Sequence, residues 1–214
     1  MFLCKPDNRK WLIVTGGLLA VIITLSVILA VTLSGRASGA SGVRDPANLR
    51  QAVDSIDGIP LFTAYIPEDS PGRPGVLRTV ESITIHETAN TSEGADAEAH
   101  SDYLSTTSDE VSWHYTVDDH QIYRHLPDNE EAWHSGDREG NHSSISIELC
   151  VNADGNFDQT MENAAKLTAF LLKEYDLTID DVKQHYDFNG KDCPLIIRQE
   201  GRWDEFLGMV QQNL

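Results

Sequence analysis

Two histidines and one cysteine are the residues of this chain whose types and company suit a metal centre able to do hydrolytic chemistry, with a glutamate and a lysine to be weighed beside them. His185 opens the segment HYDFNGKDCP, in which a Gly-Lys turn brings Cys193 back toward it. An imidazole and a thiolate are ligands that suit Zn²⁺, although a His-x7-Cys spacing alone is a weak signal and reads first as a loop histidine beside a buried thiol. His86 ends the segment SITIH on its more polar side. Adding it makes three ligands, the count that a catalytic zinc site uses while keeping one position for water. A single thiolate leaves the ion net positive and able to act as a Lewis acid. Glu148, in SISIELC, reads either as a sheet carboxylate facing solvent or as a proton carrier. Lys191, two residues before Cys193, reads by itself as a turn-surface charge.

The elements that must position these groups follow from periodicity. Alternation in Ser82–His86 puts Ile83 and Ile85 on one face of a strand and Thr84 and His86 on the other. SSISIELCV repeats the pattern, with Ile145, Ile147, Leu149 and Val151 opposite Ser146, Glu148 and Cys150. WHYTVDD and QIYRHL form a strand pair turning around Asp118 to His120. Helices are expected from about Asp96, from Thr160 to Tyr175 with Leu167, Phe170 and Leu171 in the core, and from Gly201 to Gln211. A short helix is expected over Pro46 to Ile56, with Asp45 as its cap. The mixture implies an α/β domain, a central mixed β-sheet flanked by helices.

Ahead of that domain, no charge interrupts Trp11 to Gly35, enough apolar chain for a transmembrane helix. Lys5, Arg9 and Lys10 precede it and Arg36 stands alone after it, which keeps the N-terminus cytoplasmic. The expected organisation is a cytoplasmic segment over 1–10, a membrane anchor over 11–34, a linker over 35–57 and a globular domain over 58–214 outside the cell membrane. Cleavage of the anchor would make the domain a secreted one. GRASGASG is a flexible spacer. The net charge of -18 carries no basic footprint for nucleic acid. Three cysteines are too few for a disulfide framework, and Cys150 reads as a small buried thiol.

From about Ile59 onward the chain resembles the type 2 N-acetylmuramoyl-L-alanine amidase family, which spans phage endolysins, bacillus-type autolysins and peptidoglycan recognition proteins. The blocks that carry the likeness occur in family order: ITIHETAN, GADAEAHSDYL, SWHYTVDD, IYRHLP, AWHSGD, SISIELCVN and HYDFNGKDCP. The resemblance implies zinc held by His86, His185 and Cys193, a catalytic Glu148, an oxyanion-stabilising Lys191 and peptidoglycan as substrate, cut between N-acetylmuramic acid and L-alanine. It places His134, Trp133, Asn141 and Trp113 along the groove that meets the muramyl-peptide, with Trp133 expected in the core rather than as a platform. Trp113 departs from the branch that carries a catalytic tyrosine at this place, because an indole offers only an N–H donor. Glu87 departs from the asparagine common after the first ligand and should point away from the metal. The rival reading is a non-catalytic peptidoglycan-binding module of the same fold.

Overall fold

The computed structural model of the chain describes residues 54–214. The expected cytoplasmic segment, the anchor over 11–34 and most of the linker lie outside the described residues. Among the described residues, no helix is long and apolar enough to cross a membrane.

A seven-stranded mixed sheet in the order β1-β2-β5-β4-β6-β3-β7 forms the centre. Its strands are β1 (Asp54–Ile56), β2 (Ile59–Thr63), β3 (Ser82–Glu87), β4 (Tyr115–Val117), β5 (Ile122–Arg124), β6 (Ser144–Leu149) and β7 (Val182–Gln184). The helices are α1 (Ala97–Thr106), α2 (Arg138–Ser143), α3 (Phe157–Glu174), α4 (Tyr186–Asn189), α5 (Leu195–Gln199) and α6 (Trp203–Gln212). Strands β4, β6, β3 and β7 run parallel to one another, while β4 pairs antiparallel with β5.

The helix expected over Pro46 to Ile56 does not reach its proposed end, since Asp54–Ile56 is a strand paired antiparallel with Ile59–Leu61. The reason is the Asp57-Gly58 pair between them. Both residues hold positive φ, 48° and 82°, which is the backbone of a tight primed turn that an Asp-Gly sequence favours. The sheet therefore begins ahead of Gly58.

Alternation along the inner strands sorts the two faces. Ile83 and Ile85 of β3, Ile145, Ile147 and Leu149 of β6, and Tyr115 and Val117 of β4 pack with Met161, Leu167 and Leu172 of α3 and Phe206 of α6 in one core. Each such aliphatic side chain contributes about 1.5–3 kcal/mol by leaving water. Helix α3 starts earlier than Thr160, where Asn156 accepts a hydrogen bond from the Gln159 N–H at 3.2 Å. Phe170, expected in the core, is 45% exposed. It stands on the far side of α3 from Met161, Thr168 and Leu172, since each residue turns the helix by about 100°. Helix α6 starts after Gly201, whose φ of 69° is not helical.

The opposite face of the sheet is polar. In the β3/β6 register, Ser82 faces Ser144, Thr84 faces Ser146 and His86 faces Glu148, and Thr116 of β4 lies on the other side of Glu148. The serine and threonine members of this row are buried and hydrogen-bonded, with Thr84 Oγ1 donating to Ser144 Oγ at 2.7 Å and His114 Nδ1 lying 2.9 Å from Ser146 Oγ.

Candidate metal centre and active site

Three donors meet at the end of that polar row. His86 closes β3, and His185 follows β7, its N–H bonded to the Ile85 carbonyl at 3.3 Å. After the short α4, Gly190 takes a left-handed φ of 79° that a residue with a Cβ adopts at a cost. The chain so reversed lets Tyr186 N–H reach the Cys193 carbonyl at 3.1 Å. Ligand atoms of His86, His185 and Cys193 all lie within 4.8 Å of one another, and all three residues are buried. His86 Nδ1 is 3.0 Å from His185 Nδ1, 3.7 Å from Cys193 Sγ and 4.0 Å from Glu148 Oε1.

Proton positions follow from neighbours that can only accept. His185 Nε2 faces the Ser135 carbonyl at 2.9 Å, so Nε2 carries the hydrogen and Nδ1 presents a lone pair. That nitrogen lies 3.0 Å from the Nδ1 of His86, with the Cys193 sulfur close by, so three potential ligand atoms converge on one small volume. Burial holds both imidazoles below the usual histidine range, and neighbouring cationic groups, among them Lys191, add to the shift. Burial, with the Glu148 charge behind it, pushes the Cys193 thiol up to about 12. Neutral imidazoles and a thiol that needs a positive neighbour to ionise are what a metal ion would meet here. Among the described residues, this set fits a metal of zinc's ligand preferences.

Glu148 stands beside the cluster without belonging to it. Burial pushes its carboxyl up to about 8, against the opposing charge of Lys191. Its Oε2 is buried and has no hydrogen-bond partner in the protein. A carboxylate so poised, a few ångströms from the three donors, can take and return a proton near neutral pH. Lys191 is exposed on the turn before Cys193, with its backbone N–H bonded to Asn189 Oδ1 at 2.9 Å.

The remaining sequence-selected residues fall in different places. Trp113 is 7% exposed and its indole N–H is committed to Thr116 Oγ1 at 2.7 Å. It lines, with Thr88, His100 and Tyr103, a groove of about 350 Å³. Trp133 is 38% exposed, so it is not a core residue. Asn141 pins the loop after Trp133, because its carboxamide oxygen accepts from His134 N, Ser135 N and Ser135 Oγ. His134 touches the cluster itself, its Nδ1 lying 3.0 Å from His86 Nε2. Spacing contains no signal for that contact, because the partners are 48 residues apart.

Glu87 turns away from the metal ligands, as strand alternation requires. Its carboxylate accepts the N–H groups of Ile196 and Ile197 at 2.8 and 3.0 Å, holding the first turn of α5 beside the strand that carries His86. Glu87→Ala strands two N–H groups and is expected to cost about 1–3 kcal/mol. A lowered thermal midpoint checks this, and an unchanged midpoint contradicts it.

Comparison with known proteins adds to this geometry. Residues 76–195 match the family model Amidase_2, described as N-acetylmuramoyl-L-alanine amidase. The N-acetylmuramoyl-L-alanine amidase XlyA of Bacillus subtilis is 45% identical over 148 residues, 68% of this chain and 49% of that protein. CwlH of the same organism is 40% identical over 152 residues, 70% of this chain and 60% of that one. The chain thus spans about half the length of the curated relatives it matches. Among solved structures, the catalytic domain of XlyA superposes with a TM-score of 0.69 at 42% identity, covering 71% of this chain and 99% of that one. PlyL superposes with a TM-score of 0.64 at 31% identity, covering 71% and 96%.

Proposed function

Since the chain belongs to the N-acetylmuramoyl-L-alanine amidase family of the Amidase_2 type, we propose that it hydrolyses the amide between N-acetylmuramic acid and L-alanine in peptidoglycan, with zinc held by His86, His185 and Cys193. The observation that carries this reading is the meeting of those three donors beside Glu148, a buried carboxylate with an uncommitted oxygen.

When bound, zinc supplies Lewis acidity toward the scissile carbonyl and lowers the pKa of water. Glu148 takes a proton from the attacking water as its oxygen bonds to the lactyl carbonyl carbon, then delivers that proton to the alanine nitrogen as the C–N bond breaks. The products are a muramic lactyl carboxylate and a stem peptide with a free amine. Lys191 lends positive charge to the oxyanion at the mouth of the site. Tyr103 and Trp133, both exposed, offer aromatic surface to the muramyl-peptide, with Trp113 packed behind Tyr103. The apolar run over 11–34 holds the catalytic domain to the outer side of the cell membrane, with 35–53 as reach into the wall.

Mass spectrometry of peptidoglycan digested by the full chain tests the bond assignment. New N-terminal alanine and new lactyl carboxylate ends are expected. Their absence, with the protein still sedimenting with sacculi, would favour the non-catalytic binding module. Chelation is expected to bring turnover to background and added Zn²⁺ to restore it, whereas turnover indifferent to chelator removes the metal from the mechanism.

A further inference from the structure

His134 bonds to three groups that together determine where its proton sits. Its Nε2 lies 3.1 Å from the Gly140 carbonyl and 3.3 Å from Ser144 Oγ. The carbonyl can only accept, and Ser144 spends its own hydrogen on that same carbonyl at 2.8 Å while receiving the Thr84 hydroxyl. Nε2 of His134 therefore carries hydrogen. Neither ring nitrogen meets a carboxylate, and in a neutral imidazole whose hydrogen sits on Nε2 the other nitrogen, Nδ1, is a bare acceptor. That acceptor faces His86 Nε2 at 3.0 Å with the two rings perpendicular, so His86 must donate from Nε2.

Resting on the zinc reading above, we propose that His134 is a positioning residue that fixes His86 as its Nε2–H tautomer and thereby aims the bare Nδ1 of His86 at the metal. Without that acceptor, His86 is free to place its proton on Nδ1, where it would block the donor atom. His185 gets the equivalent constraint from the Ser135 carbonyl, and the two outer partners sit in adjacent positions of one loop, pinned by Asn141. Both ring nitrogens of His134 are thus committed inside the protein, which withdraws it from direct contact with the muramyl-peptide. Partners of this kind typically alter metal affinity by about 10–100-fold.

The test uses the full chain in detergent, with zinc affinity from competition against a chromophoric chelator and imidazole tautomers from two-bond ¹H–¹⁵N spectra of the metal-free protein. His134→Leu is expected to weaken zinc binding about 10–100-fold and to leave His86 as a mixture of tautomers. His134→Asn, which can present its Oδ1 where Nδ1 stood, is expected to recover most of the affinity. Wild-type affinity in His134→Leu, or no recovery in His134→Asn, overturns the proposal. The wild-type spectrum decides even where a variant does not fold: His86 protonated on Nδ1 contradicts the relay. A wild-type protein that binds no zinc while showing the Nε2–H tautomer would remove the zinc reading and leave the relay standing.

Discussion

Glu148→Gln is expected to lower kcat on purified peptidoglycan by about 10²–10⁴-fold, with zinc content and fold retained. The amide keeps the volume of the carboxylate and, standing 4.0 Å from His86 Nδ1, was never within bonding distance of that ligand. What it loses is the capacity to accept and return a proton. A variant with wild-type turnover would show that the proton travels by another route. The same substitution has a signature in the metal-free protein. Folded Glu148 is pushed up to about 8 by burial, while an unfolded glutamate ionises near 4.3. Its contribution to stability is complete below about 4.3, shrinks as the unfolded chain ionises, and is lost as pH passes about 8. Buried His125 and His134, both pushed down to about 3 by burial, act with the opposite sign. They are present in both proteins, so the difference isolates Glu148. The thermal midpoint of metal-free Glu148→Gln should gain on wild type between pH 5 and pH 8, and parallel curves would contradict the raised carboxyl.

Cys193→Ala is expected to abolish turnover and to weaken zinc binding by more than the roughly 10–100-fold typical of an outer partner, because it removes a ligand itself. Its effect should also be visible as protons. The Cys193 thiol, pushed up to about 12, is protonated at neutral pH, so forming a thiolate bond to a metal releases a proton to solvent. Zinc added to the wild-type protein at pH 7 should acidify a weakly buffered solution by one proton more than zinc added to Cys193→Ala. Cys150→Ala is the control. That thiol is also buried, but it packs in a separate cluster with Ala97 and Tyr123, and its sulfur lies 4.0 Å from His100 rather than near the three donors. Equal proton release from wild type and Cys193→Ala would take the cysteine out of the ligand set.

The faces of the strands are legible in the sequence, because a period of two leaves no freedom about which side a residue takes once the strand is granted. Ile83 and Ile85 against Thr84 and His86, and Ile147 against Glu148, read the same way in sequence and in space. Single-residue backbone chemistry is harder to weigh. The Asp57-Gly58 turn is present in the letters as a hairpin signal, yet the capping pattern ahead of it points to a helix. Phe170 suits a core position by being apolar, although its angular place on α3 opposes Met161 and Leu172.

By itself, the sequence determined the residue types able to hold a metal and move a proton, the α/β class, and the family through blocks in a fixed order. Only the tertiary structure decided how those groups meet: the parallel β3/β6 register that sets His86 across from Glu148, and the loop that brings His134 and the Ser135 carbonyl behind the two imidazoles. The physical reason is range. Periodicity and turn chemistry act over a few neighbouring residues, whereas strand register and hydrogen-bond partners of a buried ring are chosen by packing between segments 48 to 107 residues apart.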